Sequence, residues 1–374
     1  MNNVARSIFT IIAVVLVSTF ILYVPFFTKS LHLLGYPVEE KGMNYVYQNY
    51  DGVLYIVPAK TWYKPEKIAD LRLEIPLPQE YYAAHLPVYP AFISLFAPLF
   101  GYLQSMIVVT VLFSIMAATI LYLLLRKFEL TTYPLVLSII FLFLPRLFVI
   151  RSVGAPEMLF LTTIIASVYF FEKKQFFVAS ILGAIAAATK TPGVLLFVAY
   201  GLVYIEAFMK HRKISLSWLS ILLIPLGLIG TFYFYQMQTY DFWAYFHTGG
   251  VVPMPYPFAV FHSSARWVGT VWLEEIILYF ALYGFAVISL KDNPHRSLFY
   301  FPLVFLLASL FVQHRDLSRY MLPLWPFALI AYQKTLTSKK FFILFLILLP
   351  AIYLYAWNFM ISNILPISDW SAFL

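Results

Sequence analysis

The chain has 374 residues, of which 62% are hydrophobic, 20% are aromatic and only 11% are charged, and its formal net charge is +8. Soluble domains carry about 25% charged residues, so this composition excludes an ordinary soluble protein and predicts an all-α polytopic integral membrane protein. The cations are spread over short loops without a basic block, so the charge predicts contact with membrane lipids and no nucleic-acid partner.

The first hydrophobic run, Ile8 to Phe27, predicts a transmembrane helix within residues 1–28. No small-x-small cleavage site follows it, which favours a retained span over a signal peptide. Later runs raise the predicted number of transmembrane helices to about eleven. They lie near Tyr102–Leu125, Tyr133–Ile150, Glu157–Phe171, Phe176–Ala188, Gly193–Phe208, Leu216–Tyr235, Trp267–Leu290, Leu298–Val312, Tyr320–Tyr332 and Phe341–Met360.

Between the first two spans, residues 29–101 form a mixed polar and aromatic segment, which predicts a long outer loop with short interfacial helices and a helix that returns to the membrane. Asp51 lies in the phrase Tyr50-Asp51-Gly52-Val53-Leu54-Tyr55, and a carboxylate there can accept the proton of an attacking hydroxyl. The alternative is a solvated turn residue, since Asp-Gly is a common turn pair. The second phrase, His85-Leu86-Pro87-Val88-Tyr89-Pro90, is also explained by prolines that begin the returning helix.

Residues 102–210 are predicted to form the transmembrane core, and residues 211–374 the C-terminal helices with a second outer loop at 237–266. Basic residues fall on alternate connections, which predicts that these connections and the amino terminus face the cytoplasm. The 29–101 segment and the carboxyl terminus are then outside, and the absence of a glycosylation sequon favours a prokaryotic plasma membrane. The basic connections are Arg126-Lys127, Lys173-Lys174, Lys210 to Lys213, Lys291 with Arg296, and Lys334 with Lys339-Lys340.

Several charges remain at the outer ends of predicted spans. A charge at membrane depth costs at least ~2.5 kcal/mol unless it is paired or hydrated, so such charges indicate a functional cavity. Lys190, Arg315 and Arg319 have the chemistry of phosphate binding, although any single cation can instead reach a headgroup or pair with a nearby acid. The sequence has no glycine-rich nucleotide loop and no His/Cys metal pattern, so no cofactor is predicted, and a divalent metal is possible but not indicated.

Together these phrases are similar to those of polytopic GT-C-type glycosyltransferases, in particular the glycosylphosphatidylinositol mannosyltransferases that add the second mannose and their prokaryotic relatives. The phrase around Asp51 resembles the family's Trp-Asp-x-x-x-Tyr, with Tyr50 in place of the tryptophan. Other resembling pieces are Leu86–Pro90, Pro156–Phe160, Ala187–Gly193, Asp241–His247 and Arg319–Pro323.

The resemblance implies a GT-C-like bundle and an inverting transfer of mannose or a similar hexose at the outer face. The donor would be a polyprenyl-phosphate sugar, the acceptor a lipid-linked, glycan or protein group, and Asp51 the general base. Lys190, Arg315 and Arg319 are inferred as donor-phosphate ligands from charge and topology. The candidate substrate-binding residues are Tyr50, Tyr55, His85, Tyr89, Glu157, Asp241 and His247.

Two other functions remain open on the sequence alone. A transporter or flippase of lipid-linked sugars would explain charges at membrane depth. It would not explain the long polar segment, and no inverted repeat with matched broken helices is evident. A non-enzymatic membrane assembly subunit would use that segment as a docking surface. The polar segment therefore favours the transferase.

Overall fold

The structure, a computed structural model, describes residues 3–29, 38, 40–49, 51–75, 77–213, 215–248, 251–270 and 272–374. These residues form helices and turns, and among them no β-strand occurs; Asn49 and Ile364 form an isolated bridge. The predicted all-α architecture is confirmed. Tyr50, a predicted substrate ligand, lies outside the described residues.

The helices follow one another with short connections. The first long helix and the polar segment contain α1 (Asn3–Thr28), α2 (Asn44–Tyr47), α3 (Ile56–Thr61), α4 (Pro65–Asp70) and α5 (Val88–Phe100). The central part contains α6 (Tyr102–Lys127), α7 (Pro134–Leu142), α8 (Pro145–Ile150), α9 (Glu157–Glu172), α10 (Phe176–Thr189) and α11 (Leu195–His211). The last part contains α12 (Leu223–Thr239), α13 (Ala244–His247), α14 (Glu274–Ser289), α15 (Ser297–Ser309), α16 (Leu317–Tyr320), α17 (Trp325–Ala331), α18 (Gln333–Leu336) and α19 (Lys339–Ser362).

Five helical segments of the described chain are long and apolar enough to cross a membrane, which indicates an integral membrane protein. They are Asn3–Thr28, Tyr102–Lys127, Thr191–His211, Leu216–Thr239 and Lys339–Ser362. Shorter apolar helices occur at Val88–Phe100, Phe176–Thr189, Ser297–Ser309 and Leu322–Ala331. The total of about eleven spans stays a prediction.

Three predicted spans differ from the observed helices. The run Tyr133–Ile150 is divided into α7 and α8 because Pro145 begins a new helix. The run Tyr320–Tyr332 is divided between α16, a 3₁₀ turn and α17, where Pro323 and Pro326 each lie at the start of a helical segment. The helix predicted from Trp267 begins only at Glu274.

Helix α9 is buried over most of its length and packs against α6 and α10. Helix α10 in turn packs against α12, and glycines make this approach close. A methyl group at Gly227 would lie 2.6 Å from the Ala184 carbonyl oxygen, and one at Gly183 would lie 2.8 Å from Ile224. The α9–α10–α12 layer therefore depends on small residues at the contact.

The basic connections gather at one end of the bundle. There His295 Nδ1 lies 3.0 Å from Oε2 of Glu172, and Arg296 Nε donates to Oε2 of Glu206 at 2.7 Å. Because α9 runs from Glu157 to Glu172, Glu157 lies at the opposite end. The protein thus separates a basic end from the end that carries the polar segment and the candidate site.

The polar segment packs against the end of the chain. Leu365 N donates to the Gln48 carbonyl at 2.8 Å, and Lys60 Nζ donates to the carbonyl of Ala372 at 3.0 Å. Val53 and Ile56 are fully buried, so the turn that carries Asp51 rests on apolar contacts. The predicted short helices of this segment correspond to α2, α3 and α4.

Candidate functional site

A cavity of about 450 Å³ lies at the end of the bundle opposite the basic connections. One part of its wall is polar and carries Asp51, Lys190 and Arg319. The other part is apolar and is formed by α11, α12 and α15, which contribute Leu195, Leu228 and Phe305 among others. The cavity therefore suits a ligand with a charged head and an apolar body.

Lys190 reaches the cavity because α10 ends immediately before it. The backbone of Lys190 is extended, and a 3₁₀ turn, Thr191–Val194, follows. At Gly193 a methyl group would lie 2.4 Å from the backbone nitrogen of Ala187, so only glycine allows the turn to fold back on α10. This close turn aims the lysine at the polar wall.

Two carboxylates and two cations form a chain of ion pairs at this wall. Arg319 donates from Nη1 to Oδ2 of Asp51 at 3.0 Å and from Nε to Oε1 of Glu157 at 2.7 Å. Lys190 Nζ donates to the same Oε1 of Glu157 at 2.8 Å. Four of the residues predicted for the site are therefore in direct contact, although they come from four separate parts of the chain.

Glu157 is the buried member of the chain. It is 2% exposed, and it begins α9, where the partial positive charge of the helix N-terminus favours a carboxylate. Its Oε1 accepts from both cations, whereas its Oε2 is buried without a hydrogen-bond partner. Asp51, Lys190 and Arg319 are each partly accessible from the cavity.

Glu157 and Asp51 stabilise the charged form of the Arg319 guanidinium. Burial disfavours the charged form, but Glu157 and Asp51 outweigh it and raise the pKa of Arg319 well above its ordinary value. The two carboxylates and the two cations together carry no net charge.

His85 lines the cavity beside Asp51. Burial lowers the pKa of His85 to about 4, so the imidazole is neutral at pH 7. Its ring meets the edge of Tyr55 with centroids 4.6 Å apart, its carbonyl accepts from the hydroxyl of Tyr63, and its Nδ1 is buried without a partner. Tyr55 also lines the cavity.

Three other predicted ligands lie away from the cluster. Tyr89 is fully buried behind Tyr55 and donates to the Met106 carbonyl at 2.9 Å, which is the environment of a core residue. Asp241 Oδ2 lies 2.7 Å from Nδ1 of His247, and this local pair is largely exposed at either end of the turn that forms α13.

Arg315, predicted to bind phosphate, is exposed and does not join the ion-pair chain. Its neighbour Asp316 pairs instead with Arg146. The backbone of Arg319 belongs to the short helix α16, whereas Arg315 precedes that helix, so the two arginines are directed differently.

Some lining residues were absent from the predicted site. Tyr81, Tyr245, His314 and Tyr320 all line the cavity, and the Lys190 ammonium lies 5.5 Å from the Tyr320 ring centroid. His314 and Tyr320 belong to the same sequence phrase as Arg319, which is the signal that could have indicated them. Tyr245 belongs to the phrase Asp241–His247, which gave the same kind of signal, whereas Tyr81 had none.

Within the described residues, no group of three or more His, Cys, Asp or Glu side chains is arranged to hold a metal ion. No protein-family model, curated protein or solved structure matches the chain. Its function is therefore argued from the cavity and the ion-pair chain.

Proposed function

We propose that the protein is a membrane glycosyltransferase that moves a sugar from a polyprenyl-phosphate donor to an acceptor hydroxyl. The observation that carries the proposal is the two-part lining of the cavity. A carboxylate and two cations line the cavity together with apolar side chains from three helices. A phosphate head would meet Lys190 and Arg319, while the isoprenoid tail would lie along the apolar wall.

The transfer would proceed by a single displacement. The acceptor oxygen forms a bond to the anomeric carbon, while the bond between that carbon and the phosphate oxygen breaks. The bonding electron pair leaves with the phosphate, and Asp51 takes the proton of the acceptor hydroxyl. The anomeric centre is inverted, and the lipid remains as a polyprenyl phosphate. Lys190 and Arg319 would supply the positive charge at the leaving group.

The resemblance to GT-C-type enzymes supports the same reading of substrate and fold. According to this resemblance, the bundle is GT-C-like with about eleven spans and the sugar is mannose or a similar hexose. The acceptor is then a lipid-linked, glycan or protein hydroxyl. By the positive-inside rule the basic end would face the cytoplasm, so the cavity would open at the outer face of a prokaryotic plasma membrane.

The test is a donor screen with the purified protein in detergent or liposomes. Several polyprenyl-phosphate sugars with labelled lipid are each incubated with the protein and with lipid-linked, glycan or protein acceptors, and release of polyprenyl phosphate is followed in a single turnover. The transferase predicts release that depends on Asp51 for at least one donor. Movement of intact donor across the liposome membrane without release would favour a flippase. If neither release nor movement occurs, an assembly subunit is favoured. That result and movement without release each contradict the proposal.

A further inference from the structure

We infer that Glu157 controls how fast the spent lipid phosphate leaves, because it keeps the charge of the resting cation cluster at zero. The inference rests on the proposed function. Glu157 lies behind Lys190 and Arg319, in the wall of a separate void of about 10 Å³, and holds both cations through a single oxygen. It is therefore a positioning residue that acts on the ligand through these cations and not by contact.

The argument follows from the charges. Asp51 and Glu157 balance Lys190 and Arg319 when the cavity is empty. The donor is a phosphodiester with one negative charge, whereas the product is a monoester with a charge of about −1.5 to −2 at pH 7. Coulomb energy is proportional to charge, so an added positive charge in the cluster strengthens product binding nearly twice as much as donor binding. A neutral cluster consequently releases the product more readily than a positively charged one.

Of the two carboxylates, Glu157 is the one whose negative charge stays constant during the reaction, because it is buried between two cations. Asp51 accepts a proton during the reaction, so its charge changes within each cycle. Glu157 is 2% exposed and paired with two cations, so its charge persists throughout the cycle and offsets one of them. Its second oxygen has no partner, so the side chain does not bind other groups of the fold through that atom.

The chain offers a matched control at the opposite end. Glu206 also joins a lysine and an arginine, with Oε1 2.6 Å from Lys210 Nζ and Oε2 2.7 Å from Arg296 Nε. These residues line the basic end and not the cavity. Glu206→Gln therefore removes the same charge from a similar arrangement without changing the charge beside the ligand.

The experiment compares wild type, Glu157→Gln and Glu206→Gln in two binding measurements. The ligands are a polyprenyl monophosphate and its methyl ester, which have the same lipid but differ in phosphate charge. For Glu157→Gln we expect the Kd of the monophosphate to fall roughly ten- to hundredfold and that of the methyl ester only about three- to tenfold. Steady-state turnover should slow after a burst of one turnover, and Glu206→Gln should match wild type.

A folded Glu157→Gln protein whose monophosphate affinity is unchanged or weaker overturns the inference, since Glu157 would then only hold the cations in place. If Glu157→Gln gives no melting transition, Asp51→Asn replaces it in the binding measurements. Asp51→Asn adds the same charge to the cluster, so an unchanged Kd for the monophosphate overturns the inference as well. Failure of wild type to bind either ligand is a different result, because it contradicts the proposed function itself.

Discussion

Asp51 and Arg319 are 268 positions apart in the sequence, yet their side chains form an ion pair of 3.0 Å at the wall of the cavity. The same guanidinium holds Glu157 through Nε, so one arginine joins the candidate base to the buried carboxylate. This geometry fixes the orientation of the Asp51 carboxylate at the wall of the cavity. It also makes Arg319 the residue whose loss disturbs the site most.

Replacing Asp51 by Asn should lower transfer by about 10²–10⁴-fold, the usual contribution of a general base. The amide keeps an oxygen that can accept from Arg319, so the fold should persist. Single-turnover release of polyprenyl phosphate measures the effect. Asp241→Asn is the control, since Asp241 pairs locally with His247 outside the cavity. Near-normal release by a folded Asp51→Asn protein would mean that another group is the base.

Substitutions of Arg319 and Arg315 should have very different effects on the turnover rate. Arg319→Ala should reduce the turnover rate by about 10²–10³-fold, because a fixed cation stabilises the charge that develops on the leaving phosphate. Arg319→Lys should recover only part of the rate, since a lysine lacks the planar fork. Lys190→Ala should have a smaller effect than Arg319→Ala. Arg315→Ala, at an exposed position, should remain close to wild type.

Melting temperatures measured with and without donor lipid provide the check on this series. If Arg319 only holds the bundle together, Arg319→Ala should lose activity in proportion to stability and gain the same stabilisation from donor as wild type. Equal losses for Arg315→Ala and Arg319→Ala would contradict the assignment drawn from the ion-pair geometry.

His85 should make the protein less stable as the medium is acidified. Its pKa is about 4 in the folded protein against about 6.5 when unfolded, so the unfolded chain binds more protons between these values. The free energy of unfolding should therefore fall by up to about 3 kcal/mol as the pH drops from about 6.5 to about 4.

Melting temperatures of wild type and His85→Gln between pH 7.5 and 4 isolate the contribution of His85 to the pH dependence of stability. The contributions of the other titratable groups are the same in both proteins and cancel in the difference. As the pH drops from about 6.5 to about 4, the melting temperature of wild type should fall more steeply than that of His85→Gln. His211→Gln, at an exposed site, should run parallel to wild type. Parallel curves for His85→Gln would contradict a buried neutral imidazole.

Several features of the site could be predicted from the sequence for a physical reason. Glu157, Lys190 and Arg319 all stand at turns on the same side of the predicted topology, and uncompensated charges there must find partners or a cavity. What the sequence could not show is the pairing. Which of Arg315 and Arg319 turns inward depends on where a four-residue helix begins, and no local periodicity determines that start.

Some of the positions at which helices end could be predicted from the sequence. Pro145, Pro323 and Pro326 mark the points where two long apolar runs divide into shorter helices, and proline is the residue that disrupts a helix interior. The role of Tyr89 was not readable, because its burial behind Tyr55 arises from packing between α5 and α6. Motif position alone cannot separate a core tyrosine from a ligand.

Labelling of introduced cysteines tests which end of the bundle is external. Glu66 lies in the polar segment and Lys174 at the basic end, and both are exposed. With an impermeant thiol reagent added to intact cells, Glu66→Cys should be labelled and Lys174→Cys only after permeabilisation. The chain has no native cysteine, so the background is low. The reverse pattern would place the cavity on the cytoplasmic side.

Gly227 and Gly230 of α12 lie three residues apart, and a change of each to alanine distinguishes the effect of helix packing on stability from that of helix propensity. A methyl group at Gly227 would lie 2.6 Å from the Ala184 carbonyl oxygen, whereas one at Gly230 would meet nothing within 4 Å. Gly227→Ala should therefore force α10 and α12 apart and lower the free energy of unfolding by about 1–3 kcal/mol.

Gly230→Ala should leave stability unchanged or raise it by up to about 1 kcal/mol, since alanine favours the helix without a clash. Thermal unfolding of both variants in one detergent measures the difference. Because α10 ends next to Lys190, the Gly227 variant should also bind a polyprenyl monophosphate more weakly than the Gly230 variant. Equal melting temperatures for the two would contradict the close contact between α10 and α12.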